Sequence, residues 1–227
     1  MWRKFGLLAL VAMAACSPKP AVEGESQSQA PLFKVVVTGP NADRLDCTLP
    51  VGPKTTGQQA TEKYGKNLVD GDVGGPEGTK LMGAMLHKDD RARRMDIVWW
   101  DDARSAVSLV RIGGESRVTG PMGIHVGSTL AEVEAINGKP FTISGFGWDY
   151  GGFAMDYKGG KLNSLAGGCH ISLRFDNLTG TAPMPDGISG DGVQIASDDA
   201  RVRTYSPVVT EISVGWPLPQ GVMPSEQ

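Results

Sequence analysis

The sequence predicts an α+β fold in which a unit of one short helix and several antiparallel strands occurs twice in tandem. Residues 51–66 and 126–139 align when two residues are left out of the first segment. The tetrapeptides VWWD at 98–101 and LRFD at 173–176, which follow the two predicted helices, are offset by the same number of positions as the starts of the two segments. Because the same offset recurs on both sides of the helix, we predict an internal duplication.

Each predicted helix begins with the same local signal, a capping box. Thr56 is followed three residues later by Gln59, and Thr129 is followed in the same way by Glu132. In such a pair the threonine hydroxyl accepts a hydrogen bond from a free amide of the first turn, and the Gln or Glu side chain accepts one from the threonine amide. A glycine then ends each helix, because glycine tolerates the left-handed conformation of a C-cap. Helices this short are not stable alone, so both are expected to pack on a sheet.

Apolar and β-branched segments predict the strands of that sheet. They are residues 95–100 and 107–112, joined by an acidic turn at 101–104, and residues 169–175 and 208–216. Residues 32–37 predict one additional strand, whereas residues 178–200, rich in Pro, Gly and Asp, predict a long loop. This order of strands and short helices is typical of α+β folds, with helices on one face of an antiparallel sheet.

The beginning of the chain predicts secretion and lipid attachment. Residues 1–15 combine two basic residues, Arg3 and Lys4, with an apolar run too short to span a bilayer, which is typical of a secretory signal peptide. The run ends in Ala14-Ala15-Cys16 and resembles a bacterial lipobox. Cys16 is therefore predicted to be acylated and to begin the mature protein. An ordinary signal peptide with a chance cysteine is the alternative.

Four segments are thus predicted. The signal peptide at 1–15 is followed by a flexible tether at 16–31, which has too few apolar residues to fold. The first α+β repeat covers 32–120, and the second covers 121–227 with an insert near 178–200.

The residue after Cys16 bears on the predicted location. Serine rather than aspartate follows the acylated cysteine. By resemblance to the sorting rule of Gram-negative bacteria, this favours the outer membrane, with the protein facing the periplasm.

Charge and cysteine content exclude some partners and predict one crosslink. The net charge of -3 offers no basic field for nucleic acid, and no later segment is apolar enough to cross a membrane. Membrane attachment is therefore expected through the lipid alone. With Cys16 acylated, Cys47 and Cys169 remain as an even pair in an oxidising compartment, which predicts a disulfide. Two buried free thiols are the alternative.

Two short patterns resemble known families. The segment GIHVGSTLAEV at 123–133, closed by GKP at 138–140, resembles a signature shared by the SmpA/OmlA lipoproteins of the barrel-assembly machinery and by the β-lactamase inhibitor proteins. The inhibitor proteins are tandem repeats of a helical segment followed by strands, so the resemblance implies that architecture here. The run NGKPF…GFGWDYGG at 137–152 resembles a family of bacterial secreted or lipid-anchored proteins with no assigned activity. The first repeat has no counterpart of this run.

No catalytic, metal or cofactor site is predicted. His87, His125 and His170 lack the spacing of a zinc site, and the latter two are placed inside predicted strands. The serine motifs GxSxG and SxxK are absent. The glycine-rich runs at 71–78 and 145–152 lack the Lys-Ser/Thr of a P-loop.

The segment GFGWDYGGF at 145–153 allows three interpretations. As a turn between two strands, it would place Trp148 and Tyr150 over the sheet or the groove between the repeats. As a binding patch, it would contact a protein or a glycan, since Trp and Tyr dominate interface hot spots; the patch would consist of Phe146, Trp148, Asp149, Tyr150 and Phe153. As a catalytic loop, it would use Asp149 as a general acid. The first two interpretations are compatible.

The predicted function is a lipid-anchored module that binds a protein of the cell envelope and catalyses no reaction. A proteinaceous enzyme inhibitor and a hydrolase of unrecognised type are the alternatives. An exposed aromatic surface favours the module or the inhibitor. A deep pocket that contains Asp149 and a second carboxylate or histidine favours the hydrolase.

Overall fold

The computed structural model describes residues 43–178, 180 and 183–225, all within one compact unit of the chain. The predicted signal peptide, Cys16, the tether at 16–31 and the strand at 32–37 lie outside the described residues. Within the described ranges, no helix is long and apolar enough to cross a membrane.

The predicted α+β class is confirmed, with two antiparallel sheets. The α-helices in the described ranges are α1 (Gly57–Tyr64), α2 (Leu130–Asn137) and α3 (Ala200–Tyr205). The strands are β1 (Leu68–Gly74), β2 (Lys80–Leu86), β3 (Met95–Trp99), β4 (Val107–Gly113), β5 (Thr142–Ser144), β6 (Ala154–Asp156), β7 (His170–Asp176), β8 (Gln194–Ala196) and β9 (Val208–Gly215). Six strands form one sheet in the order β1-β2-β3-β4-β9-β7, and three form a small sheet in the order β6-β5-β8.

Both predicted capping boxes are confirmed. At α1, Gln59 N donates to the Thr56 hydroxyl at 3.2 Å, and Thr56 N donates to the Gln59 side chain at 2.9 Å. At α2, Glu132 N donates to the Thr129 hydroxyl at 3.2 Å, and Thr129 N donates to the Glu132 carboxylate at 2.7 Å. These bonds satisfy amides that a helix N-terminus leaves free, which explains why both helices begin where the sequence predicts.

The four strands predicted from apolar patterns are confirmed as β3, β4, β7 and β9, each within one residue at either end. The acidic turn between β3 and β4 is also confirmed. The Asp101 carbonyl accepts a hydrogen bond from Arg104 N at 2.9 Å, and its carboxylate accepts one from Ser105 N at 2.7 Å.

Sequence patterns do not predict β1 and β2, because glycines interrupt their apolar alternation. Gly71 and Gly83 are register partners in this hairpin. A Cβ at Gly83 would lie 2.5 Å from the Ile97 carbonyl oxygen of the neighbouring strand β3. Glycine is therefore required where β2 meets β3 closely, although it weakens the strand signal in the sequence.

Two further sequence predictions are wrong in detail. The insert at 178–200 is not a loop throughout, because β8 lies within it and pairs with β5. A three-residue strand carries little signal of its own and depends on its pairing partner. His125 lies in the connection before α2 rather than in a strand, whereas His170 begins β7 as predicted.

The two halves of the chain share one sheet and one core. Strand β4 pairs with β9, so that Val110 lies opposite Val214 and Ile112 lies opposite Ile212. All four side chains are buried in the main hydrophobic cluster, which also contains Val133 of α2. The helices therefore cover one face of the large sheet, and the sheet runs across the boundary between the predicted repeats.

The opposite face of the large sheet carries charged side chains. Asp96, Arg111, Arg174 and Glu211 alternate along β3, β4, β7 and β9 with the buried residues of the core face. Successive side chains of a strand point to opposite faces, so these four residues belong to one surface, which we call the open face.

Cys47 and Cys169 form the predicted disulfide. Their Cα atoms are 5.3 Å apart, and 122 positions separate them in the sequence. The bond ties the segment before α1 to the start of β7, and both cysteines are buried in the main core. A bond of this kind is typical of proteins that mature in an oxidising compartment.

Candidate functional site

Residues 145–153, which we call the aromatic loop, connect β5 to β6. The two strands pair antiparallel, and Gly151 N donates a hydrogen bond to the Trp148 carbonyl at 2.9 Å within the turn. Strands β5 and β6 thus form the hairpin that the turn interpretation predicts, but each is only three residues long and β5 ends at Ser144, well before Asp149.

Close backbone contacts explain the glycines of this loop. A Cβ at Gly152 would lie 2.0 Å from the Phe175 carbonyl oxygen, and a Cβ at Gly145 would lie 2.5 Å from the Gly190 carbonyl oxygen. Gly152 also has a φ of +79°, which favours glycine over any other residue. The loop is thus held between the end of β7 and the segment before β8, and its side chains are presented from a fixed backbone.

The predicted patch residues separate into buried and accessible groups. Phe146 is only 1% exposed and contacts Tyr205 edge to face, with ring centroids 5.0 Å apart, so its ring belongs to the core. Phe153 is half-buried and lies 5.2 Å from the guanidinium of Arg174. Trp148 is also half-buried, and the exposed members are Asp149 and Tyr150.

The half-buried Trp148 and the exposed Tyr150 form an aromatic pair. Their ring centroids are 5.5 Å apart, and Tyr150 is 42% exposed. The Trp148 indole N–H donates to the Gly145 carbonyl at 2.9 Å, which fixes the orientation of its ring. The Tyr150 hydroxyl donates to Glu77, in the connection between β1 and β2, at 3.2 Å. Partial shielding of the Tyr150 hydroxyl and the neighbouring Glu77 carboxylate raise the pKa of Tyr150.

A cavity of about 270 Å³ opens beside Trp148, and we call it the Trp148 cavity. Its wall contains Trp148, Asp149, Arg174 and Asp176. The carboxylate of Asp176 accepts hydrogen bonds from the Tyr205 hydroxyl at 3.0 Å and from Asn177 N at 2.8 Å. The loop side chains thus meet the end of β7 in one concave surface, a proximity that sequence patterns do not predict.

The Trp148 cavity satisfies one condition set above for a hydrolase, because Asp149 and Asp176 both line it. Both carboxylates are exposed, however, rather than enclosed by apolar groups. An apolar enclosure is the environment in which a carboxyl group remains protonated and can act as a general acid at neutral pH. The surroundings of Asp149 therefore suit binding better than acid catalysis.

A second, larger cavity of about 580 Å³ borders the open face. Its guanidinium groups already have partners: Arg94 pairs with Asp96 at 2.9 Å, Arg91 pairs with Glu115 at 2.8 Å, and Arg111 donates to the Gly74 carbonyl. Burial raises the pKa of the Glu211 carboxyl in this wall, and the nearby Arg111 and Arg174 partly oppose that effect. These charges are largely satisfied by one another, so this cavity is a weaker candidate for a ligand site.

The histidines form no recognisable catalytic group. His125 Nδ1 lies 3.1 Å from the Ser128 hydroxyl, but that hydroxyl also accepts a hydrogen bond from His125 N, and Ser128 is only 2% exposed. This contact stabilises the connection before α2. No cluster of three or more potential metal ligands occurs among the residues that the structure describes.

Comparison with known proteins provides no further guide to the site. No protein-family model, curated protein or solved structure matches the chain. Its function is therefore inferred from its own residues and geometry.

Proposed function

We propose that the chain is a non-catalytic module of the bacterial cell envelope that binds a protein partner through the aromatic loop. The observation that carries this proposal is the pair formed by the half-buried Trp148 and the exposed Tyr150, held on a backbone that close contacts at Gly145 and Gly152 keep in place. Large, rigid aromatic side chains supply contact area at low entropic cost and are enriched among interface hot spots.

A lipid anchor at Cys16 completes this proposal. The basic n-region, the apolar run and the Ala14-Ala15-Cys16 end support signal cleavage and acylation. The disulfide between Cys47 and Cys169 supports maturation in the periplasm. The protein would then face the periplasm from the outer membrane, attached by lipid alone.

Metabolic labelling tests the anchor. Cells expressing the wild type and Cys16→Ser receive labelled palmitate, and we expect label in the wild type only, because acylation needs the cysteine thiol. Equal labelling of the two proteins would contradict the anchor. Fractionation of the outer and inner membranes then locates the labelled protein.

The architecture also supports an ancestral duplication. Helices α1 and α2 have equal length and equivalent capping boxes, and the pairs β3–β4 and β7–β9 meet at β4–β9 within the large sheet. The counterpart of β1–β2 would be the short hairpin β5–β6, which lies in the small sheet but contacts β7 through a bridge between Phe153 and Arg174. In this proposal the aromatic loop is a specialised hairpin of the second repeat.

Site-specific photo-crosslinking in intact cells tests the proposed function. A photoreactive phenylalanine analogue replaces Tyr150 in one strain and Met223, another exposed side chain, in a control strain. We expect a discrete protein adduct from position 150 and none from position 223. Adding Trp148→Ala to the position-150 strain should reduce the adduct about tenfold or more, as loss of a hot-spot residue does. The proposal would be contradicted if positions 150 and 223 gave equal yields of crosslinked product. It would also be contradicted if Trp148→Ala left the yield from position 150 unchanged.

A further inference from the structure

We propose that the Trp148 cavity receives a lysine or arginine side chain of the partner protein, an inference that rests on the proposed function. The two carboxylates of the cavity, its aromatic wall and its volume each favour a single cationic side chain.

The two carboxylates of the cavity have no cationic partner among the residues that the structure describes. Within the described part of the chain, neither Asp149 nor Asp176 forms an ion pair within 4.0 Å. Asp176 accepts only neutral hydrogen bonds, from the Tyr205 hydroxyl and from Asn177 N. A cation that enters here gains charge-assisted hydrogen bonds.

Arg174 also lines the cavity, but its hydrogen bond and its ring contact are with groups other than the two carboxylates. Its Nε donates to the Gly151 carbonyl at 3.1 Å, and the group lies 5.2 Å from the centre of the Phe153 ring. In the register of β7 and β9, Arg174 is also the direct partner of Glu211. Arg174 therefore lies in the cavity wall with its guanidinium over the Phe153 ring, and among the described residues it forms no ion pair within 4.0 Å with Asp149 or Asp176.

The aromatic wall and the volume of the cavity also suit a single cationic side chain. A guanidinium or ammonium group is attracted to the face of a tryptophan ring within about 6 Å. The hydrogen bond from the Trp148 indole to Gly145 keeps this ring in place before a partner arrives. The volume of about 270 Å³ falls just below the range of roughly 300–1,000 Å³ that is usual for small-molecule sites. One long side chain suits it better than a whole metabolite.

Fluorine NMR of the full chain in detergent micelles, labelled with 5-fluorotryptophan, tests the inference. The signal of Trp148 is assigned by its disappearance in Trp148→Phe. The probes are N-acetyl-arginine amide, N-acetyl-lysine amide and N-acetyl-citrulline amide, the last being a neutral analogue of arginine. We expect the two cationic probes to shift the Trp148 signal in a saturable manner, and we expect the citrulline probe to bind about tenfold more weakly or worse. Because Asp149 is exposed, its attraction to the probes should also weaken as salt is added.

Matched variants establish the role of charge. Asp149→Asn should weaken arginine-probe binding about tenfold, the loss expected for one charge-assisted hydrogen bond. Asp89→Asn, which removes an exposed carboxylate from the connection between β2 and β3, should leave binding unchanged.

Three results would overturn the inference: equal binding of the citrulline probe, a Trp148 signal that no cationic probe shifts, or a shift produced by the neutral sugar chitotriose but not by the arginine probe. Each of them leaves the crosslink from position 150 as a separate test of protein binding. Conversely, selective binding of the cationic probes without that crosslink would establish the cation site and contradict the proposed function.

Discussion

Replacing both Cys47 and Cys169 with alanine should lower the free energy of unfolding by about 4–5 kcal/mol. The bond joins positions that are 122 apart in sequence, so it removes a large amount of loop-closure entropy from the unfolded chain. A loss of this size is comparable with the whole stability of many domains, which is about 5–15 kcal/mol. Urea unfolding followed by circular dichroism measures the difference.

The reduced wild type provides the control for this prediction. Dithiothreitol should destabilise the wild type by a similar amount and should leave the double alanine variant unchanged, since that variant has no bond to reduce. A double variant as stable as the oxidised wild type would contradict the prediction. Such a result would show that residual structure restricts the unfolded chain even without the crosslink.

Gly152→Ala should lower the free energy of unfolding by about 3–5 kcal/mol, a large loss for the addition of one methyl group. The residue has a φ of +79°, which costs an alanine roughly 1–2 kcal/mol. The added Cβ would also lie 2.0 Å from the Phe175 carbonyl oxygen, and relief of such overpacking costs typically about 1–3 kcal/mol. The hydrogen bond of 2.8 Å from Phe175 N to the Gly152 carbonyl would be displaced as well.

Gly159→Ala is the matched control. Gly159 has a similar φ of +68°, but a Cβ there would meet nothing within 4 Å. Gly159→Ala should therefore lower the free energy of unfolding only by the cost of a positive φ for alanine, about 1–2 kcal/mol. Thermal and urea unfolding measure the stability of both variants, and the difference between them gives the cost of the close contact with Phe175. If both variants lost the same stability, close approach of the loop to β7 would not be important.

The helix starts illustrate what can be predicted from sequence. Thr56 with Gln59, and Thr129 with Glu132, form hydrogen bonds within four consecutive residues, so the residues that cap the helix are also neighbours in the chain. Their geometry follows from local chemistry that changes little with the rest of the fold. The strands β3, β4, β7 and β9 were predictable for a related reason, since burial of one or both faces leaves a pattern along each strand.

The elements that could not be predicted depend on distant partners. Strand β8 exists because β5 pairs with it, and Gly83 in β2 is required by the Ile97 carbonyl of β3. Strand β8 is too short to give a recognisable pattern, and the glycine in β2 interrupts the pattern of that strand. Without knowledge of the pairing partner, both segments therefore resemble loops.

The α+β class, the two capped helices, the main strands and the disulfide pair could be predicted from the amino-acid sequence, because local residue patterns and the cysteine content indicate them. The exposure of the aromatic side chains, in contrast, depends on how the chain packs. Phe146 is in the core and Tyr150 is at the surface, although both belong to the same short loop. The fold also brought Asp149 of that loop to Asp176 at the end of β7, so that both line one cavity. Exposure and proximity of this kind arise when the hairpin β5–β6 packs against the end of β7, and such packing is a property of the folded chain rather than of any short segment.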